Sequence, residues 1–170
     1  VDYVRDYAMY ASVFGMFSFI WFGWAQENPR ASWRLYLGIA SGIALITCLI
    51  GVFLSVKNWD APSALGEASA FRNYLISFYA EFVLGGAGAF VLIRKGLKTY
   101  VAPWIAFIVG IHFISLKSVF EDASLWLLAV SIIAIRVAPR LQVAHSAITG
   151  IGAGTVLFGF AVLGLIRFMS

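Results

Sequence analysis

From Tyr7 to Phe168 the chain is a succession of apolar runs near membrane-spanning length, broken by short polar turns and one longer connection. Crossing the hydrocarbon core takes about 20 apolar residues, with a range of roughly 17–25. Six segments meet or approach that length: Tyr7–Trp24, Trp33–Val56, Tyr74–Ile93, Tyr100–Val119, Ala123–Ala138 and Val143–Phe168. Unsatisfied backbone groups are too costly in lipid for anything but helices or a closed barrel. The runs are continuous and lack the alternation of lipid-facing strands, so helices are expected. The expected fold is an all-α polytopic bundle of six transmembrane helices, arranged as three hairpins in a single domain over residues 1–170.

Composition agrees. The chain is 62% hydrophobic and 12% charged with a mean hydropathy of +0.91, against roughly 25% charge in soluble domains. The first apolar run is preceded by Asp2, Arg5 and Asp6 and followed by no small-residue cleavage site, so it is expected to be a retained span and not a signal peptide. The lone cysteine, Cys48, lies in an apolar run, where a small buried hydrophobe is expected. The net charge of +4 is modest, with no basic patch for nucleic acid. Cations gather at the ends of the runs, where they set topology and meet anionic lipid. Arg30, Arg34, Arg94, Lys95, Lys98, Arg136 and Arg140 on one side outnumber Arg5, Lys57, Arg72, Lys117 and Arg167 on the other. The first group is expected to be cytoplasmic and both termini outside. Trp21, Trp24, Trp33, Trp59, Trp104 and Trp126 lie near predicted ends, the placement of an interfacial aromatic belt. Pro103 marks a helix start, and Pro139 with Arg136 and Arg140 closes the fifth run, Arg136 snorkelling to the interface.

The chemical signal lies in the middle hairpin. Glu81 on one arm and His112 on the other interrupt otherwise apolar runs, and both stand equally far from the centre of the turn Arg94-Lys95-Gly96-Leu97-Lys98-Thr99. Antiparallel helices of equal rise therefore bring them to one depth. Ser77, four residues before Glu81, and Ser115, three beyond His112, are expected to join the same patch. Glu81 lies roughly 13 Å below Arg72 at helical rise. An isolated carboxylate there is costly. Paired with an imidazole it can share one proton, either as acid–imidazole or as carboxylate–imidazolium, which is what a proton-coupled step uses. The plainer alternative is an interhelical hydrogen bond, contributing about 0.6 kcal/mol on average in lipid.

Small residues recur at packing intervals: Gly38 with Gly42, Gly85 with Ala89, and Gly150 with Gly154. Gly38-Ile-Ala-Ser-Gly42 and Gly150-Ile-Gly-Ala-Gly154 are mildly alike, as a remnant of hairpin duplication would be. The glycine faces are expected to hold helices together and to support a homo-oligomer. The long connection Lys57–Asn73 carries a turn cluster, with Ser63 placed to cap a short helix, and serves as either a lid or a tether.

Other chemistries find little here. Two ligands do not make a zinc site, and His145 is expected near the opposite face, so no metal and no cofactor is expected. Lys117, Glu121 and Asp122 form a helix-end charge cluster. No nucleophile motif or phosphate-cradling loop is present, so an enzyme is disfavoured. The expected function is that of a small transporter or channel-like protein, proton-coupled through Glu81 and His112. The alternative is a non-catalytic sensor or binding protein for an apolar or lipid-like ligand. The partners expected are the lipid bilayer and a small ion or molecule.

The run Ala102-Pro103-Trp104-Ile105-Ala106-Phe107-Ile108-Val109-Gly110-Ile111-His112-Phe113, with Glu81 and Arg94-Lys95-Gly96, resembles a group of small integral inner-membrane proteins of bacteria to which no activity is assigned. The likeness covers about the central third of the chain. It implies a bacterial plasma membrane and leaves the function open.

Overall fold

The computed structural model describes residues 3–115 and 121–170, and side chains except those of Ser115 and residues 121–123. Every regular element among the described residues is helical: α1 (Val4–Trp24), α2 (Arg34–Lys57), α3 (Ala68–Arg94), α4 (Val101–Ser115), α5 (Glu121–Leu141) and α6 (His145–Met169), with single 3-10 turns at Ala31–Trp33, Ala64–Gly66 and Lys98–Tyr100. Among the described residues there are six helices, and four segments are long and apolar enough to cross a membrane: Ala31–Lys57, Ala68–Arg94, Ser124–Leu141 and His145–Met169. The segment Lys98–Ile114 is apolar but shorter. In α1, tyrosine, tryptophan, serine and glycine dilute the aliphatic content. The expected end of the fourth run, Val119, lies outside the described residues.

Helix ends follow local chemistry. Gly96, at φ +75°, stands just past α3, and the Leu97 amide donates to the Leu92 carbonyl at 2.8 Å. That six-residue closure is a Schellman end, for which glycine supplies the left-handed residue without strain. α5 closes the same way on Gln142, with the Val143 amide on Ala138 O at 3.1 Å. The helix therefore runs through Pro139 and past the expected stop at Ala138. Pro103 falls in the first turn of α4, as expected, where it has no hydrogen bond to lose.

α1 packs against both α2 and α6; α6 also meets α2, α4 and α5, α4 packs on α5, and α3 lies outermost against α4. Small residues fill the interior: Ala8, Ala11, Ala44, Ala106, Ala153 and Ala161 are fully shielded, as is Ser18, whose hydroxyl donates to Gly154 O at 2.8 Å. Large aliphatic and aromatic side chains such as Leu35, Phe53, Phe82, Val83 and Ile132 point outward. In water so much exposed apolar surface would drive association; as a face toward lipid it costs nothing.

The close approaches fall partly where expected. A Cβ on Gly154 would come within 2.8 Å of the Phe22 ring, and one on Gly150 would strike Trp21 O and Ala25. Gly42 and Gly85, however, face open space, and Gly38 has only the end of the Gln26 side chain at 4.0 Å. The α1–α2 contact is made instead by Gly15, whose added Cβ would meet Cys48 N at 2.8 Å, and by Gly51 against the backbone of Ala11 and Ser12. Spacing alone does not say which face of a helix meets a neighbour. The likeness between the Gly38 and Gly150 segments therefore does not extend to how they pack.

Two further expectations change. Trp21 is 4% exposed and stacks on Trp24 inside the bundle, ring centres 5.3 Å apart, so it is a core residue and not part of a belt. Trp59 and Trp126 remain exposed. Asp6, grouped by sequence with the surface acids, is 6% exposed. Its carboxylate accepts from Ser63 Oγ at 2.6 Å and from the Ala64 amide at 2.8 Å. Arg5 stacks on the Trp59 ring at 4.2 Å and donates to its carbonyl at 2.8 Å. Ser63 Oγ also caps the 3-10 turn, accepting from Leu65 N. The start of α1 thus tethers the connection between α2 and α3.

Candidate functional site

α3 and α4 form the hairpin around Gly96, and its register follows the symmetry of the turn. His112 Nδ1 lies 3.4 Å from Glu81 Oε2, so the two ionisable residues of the arms do meet. The His112 side chain is 8% exposed and that of Glu81 23%. The same Nδ1 stands 3.2 Å from the backbone carbonyl of Ser77. Ser77 therefore joins the patch, and its main chain faces the imidazole. Ser115 closes the described part of α4, and its side chain lies outside the described residues, as do those of Lys117, Glu121 and Asp122.

A second contact sets the same register nearer the turn. The Trp104 indole covers Gly88, occupying the space a Cβ would need there, and its Nε1 donates to Leu84 O at 3.4 Å. Trp104 was expected at the interface, and its role between helices was not read from sequence. The signal was present: Trp104, Ile108 and His112 repeat every four residues on α4, opposite the Glu81–Gly85–Gly88 stripe of α3.

Behind His112 the wall is aromatic. Phe113 meets Phe14 of α1 edge-on with centres 5.8 Å apart, and Phe14 meets Phe160 of α6 at 6.0 Å. One side of the pair is thus dense and apolar. On the other side is α3, none of whose residues is buried. His145 takes no part: its ring packs on Tyr100 at 5.1 Å, at the far end of α4. No group of three or more metal-ligating side chains occurs among the described residues. In chemical terms the site is an acid and a base in contact, the imidazole shielded and the carboxyl partly exposed, and able to hold or pass a proton.

Compared with known proteins, the chain matches no protein-family model, no curated protein and no solved structure.

Proposed function

We propose that the chain is a six-span protein of a bacterial plasma membrane, a small transporter or channel-like protein whose protonatable centre is Glu81 with His112. The observation that carries this reading is the 3.4 Å approach of Glu81 Oε2 to His112 Nδ1 between helices whose outer faces are apolar. Ionisable groups at such depth are costly, and where they occur they line ion or proton paths. The cation distribution supports placing the Arg94–Lys98 turn in the cytoplasm and both termini outside. His145 and Tyr100 then lie at the cytoplasmic end, and Asp6 with its tethered connection at the outer end. The cargo is a small ion or molecule moved with or against protons.

The test is flux. Protein reconstituted in liposomes with a pH-sensitive dye inside should move protons in the presence of its cargo, and Glu81→Gln should abolish that movement while the helical content and melting profile stay close to those of the parent. Screening starts with inorganic ions and proceeds to small organic cations and anions.

One observation favours a second reading, a binding protein in which the pair only joins helices. α3 buries no residue of its own, so the pair and the Trp104–Gly88 contact hold it to α4. On that reading Glu81→Gln lowers stability and no flux is found for the parent protein either.

A further inference from the structure

The α3–α4 hairpin is joined at two points and open between them. Glu81 meets His112 at 3.4 Å, and further toward the turn the Trp104 indole lies over Gly88. Gly85 stands one turn from each contact, yet a Cβ there would meet nothing within 4 Å. At about 3.6 residues per turn, Phe78, Phe82 and Gly85 fall on the same flank of α3, within roughly 100° of Glu81. The rings of Phe78 and Phe82 have centres 4.8 Å apart, and Tyr74 continues the row at 6.2 Å from Phe78. The Glu81 side chain keeps 23% of its surface exposed, and α3 buries none of its residues. A carboxyl group, two aromatic rings and a vacant step thus share one flank of the outermost helix.

That combination selects its occupant. Between Arg72 and Arg94, Glu81 is the only charged residue in the sequence, and the group that faces it from α4 is His112. With the imidazole neutral, an ionised Glu81 makes the flank negative, and phenylalanine faces add to this through their quadrupole. An anion is repelled by both. A neutral apolar molecule gains nothing from the acid. A hard inorganic cation takes about six oxygen ligands, and one carboxyl among phenylalanines does not replace its hydration shell. An organic cation fits on each count: its charge answers the carboxylate, and its apolar groups pack on the rings.

We infer that Glu81, Phe78 and Phe82 form a binding site for an organic cation with an apolar body, an amine or a quaternary centre, entered from the side of the bundle at Gly85. This rests on Glu81 as the charged group of the proposed centre and names the class of its cargo. The cation lies along α3, with its apolar groups over Gly85. It reaches the acid without crossing the aromatic wall of Phe113, Phe14 and Phe160 behind His112. His112 holds the carboxyl from the inner side.

Equilibrium dialysis of the protein in maltoside micelles at mildly alkaline pH tests this with tritiated tetraphenylphosphonium. Tetraphenylborate, an anion of the same shape, is the control for simple partition. The cation should bind saturably and the anion should not. Glu81→Gln should weaken binding by about tenfold or more, the ordinary loss of a charge-assisted contact. Phe78→Leu with Phe82→Leu should together weaken it by about fivefold or more. Gly85→Leu has room for its side chain, so it should keep the parental melting profile and lose saturable binding. Absence of saturable cation binding by the parent overturns the inference, as does saturable binding of tetraphenylborate. So does an affinity within about twofold of the parent in Gly85→Leu, in the double phenylalanine variant, or in Glu81→Gln. The Gly85 and phenylalanine variants decide the matter if Glu81→Gln does not fold. Binding is read without any transport. A cation held at Glu81 with no flux sinks the proposed function and keeps this inference, and proton flux without saturable cation binding does the reverse.

Discussion

The tether at the start of α1 yields a magnitude that can be worked from its geometry. Asp6 is almost wholly shielded and accepts two short hydrogen bonds, from Ser63 Oγ at 2.6 Å and from Ala64 N at 2.8 Å. Bonds to an ionised acceptor contribute about 1.5–3 kcal/mol each. Both donors sit on a connection that regains water when released, which places each bond at the lower end. Asp6→Ala should therefore cost about 3 kcal/mol, and Ser63→Ala about 1.5 kcal/mol for its bond to Asp6. Ser63 also loses its cap on Leu65 N, but that loss is the same in either background and cancels in a double-mutant cycle. The double variant should cost about 1.5 kcal/mol less than the sum of the single ones, because the Ser63–Asp6 bond can be broken only once. Reversible unfolding in mixed micelles, followed by tryptophan fluorescence, measures all four proteins. Limited proteolysis should show cleavage within Asn58–Glu67 rising in the same order. Costs that add to within about 0.5 kcal/mol would refute the bond as an energetic link, and an unchanged cleavage rate in Asp6→Ala would refute the tether.

Three further outcomes are expected. Gly51→Ala should lose about 1–3 kcal/mol of stability by driving a methyl into the α1 backbone, whereas Gly42→Ala, facing open space, should be neutral or gain up to about 1 kcal/mol of helix propensity; the same micelle unfolding assay compares them. Gly88→Val should displace the Trp104 indole and loosen α3, seen as faster hydrogen exchange over Ala68–Arg94 with little change in α1 or α6. His112→Ala should remove proton-coupled flux as fully as Glu81→Gln, and a variant retaining more than about half of parental flux would contradict a role as base, since loss of a general base ordinarily costs about 100-fold or more.

The Glu81–His112 contact was legible in the chain because it depends on counting alone: two helices of equal rise, one tight turn and one marker on each arm. The turn itself was legible too, through Gly96. What lay beyond counting was facing. In an apolar helix every side is hydrophobic, so no amphipathic stripe tells the interior from the exterior. Gly42 and Gly51 look alike on paper, yet only Gly51 meets another backbone. Trp21 lay near a predicted end, as belt tryptophans do, and the proximity of α6 makes it a core residue. Asp6 looked like a surface acid because its two donors lie more than fifty residues away, on a connection whose path no local signal reveals. Ser77 was placed in the site by its spacing from Glu81, and it is its carbonyl that the structure brings to the imidazole.

α1 packs on α6 as extensively as on α2, although Ser18 and its partner Gly154 lie 136 residues apart. During synthesis, therefore, α1 is made well before the helix that covers one of its faces. Until α6 arrives, the Ser18 hydroxyl lacks the Gly154 carbonyl, and the small-residue face of α1 that packs on α6 stands uncovered. A ribosome that stalls before His145, or a truncation there, leaves a chain with all the components of the Glu81–His112 hairpin and with the α6 side of α1 uncovered. Cellular quality control would meet such a fragment as an unclosed bundle, whatever the state of the site.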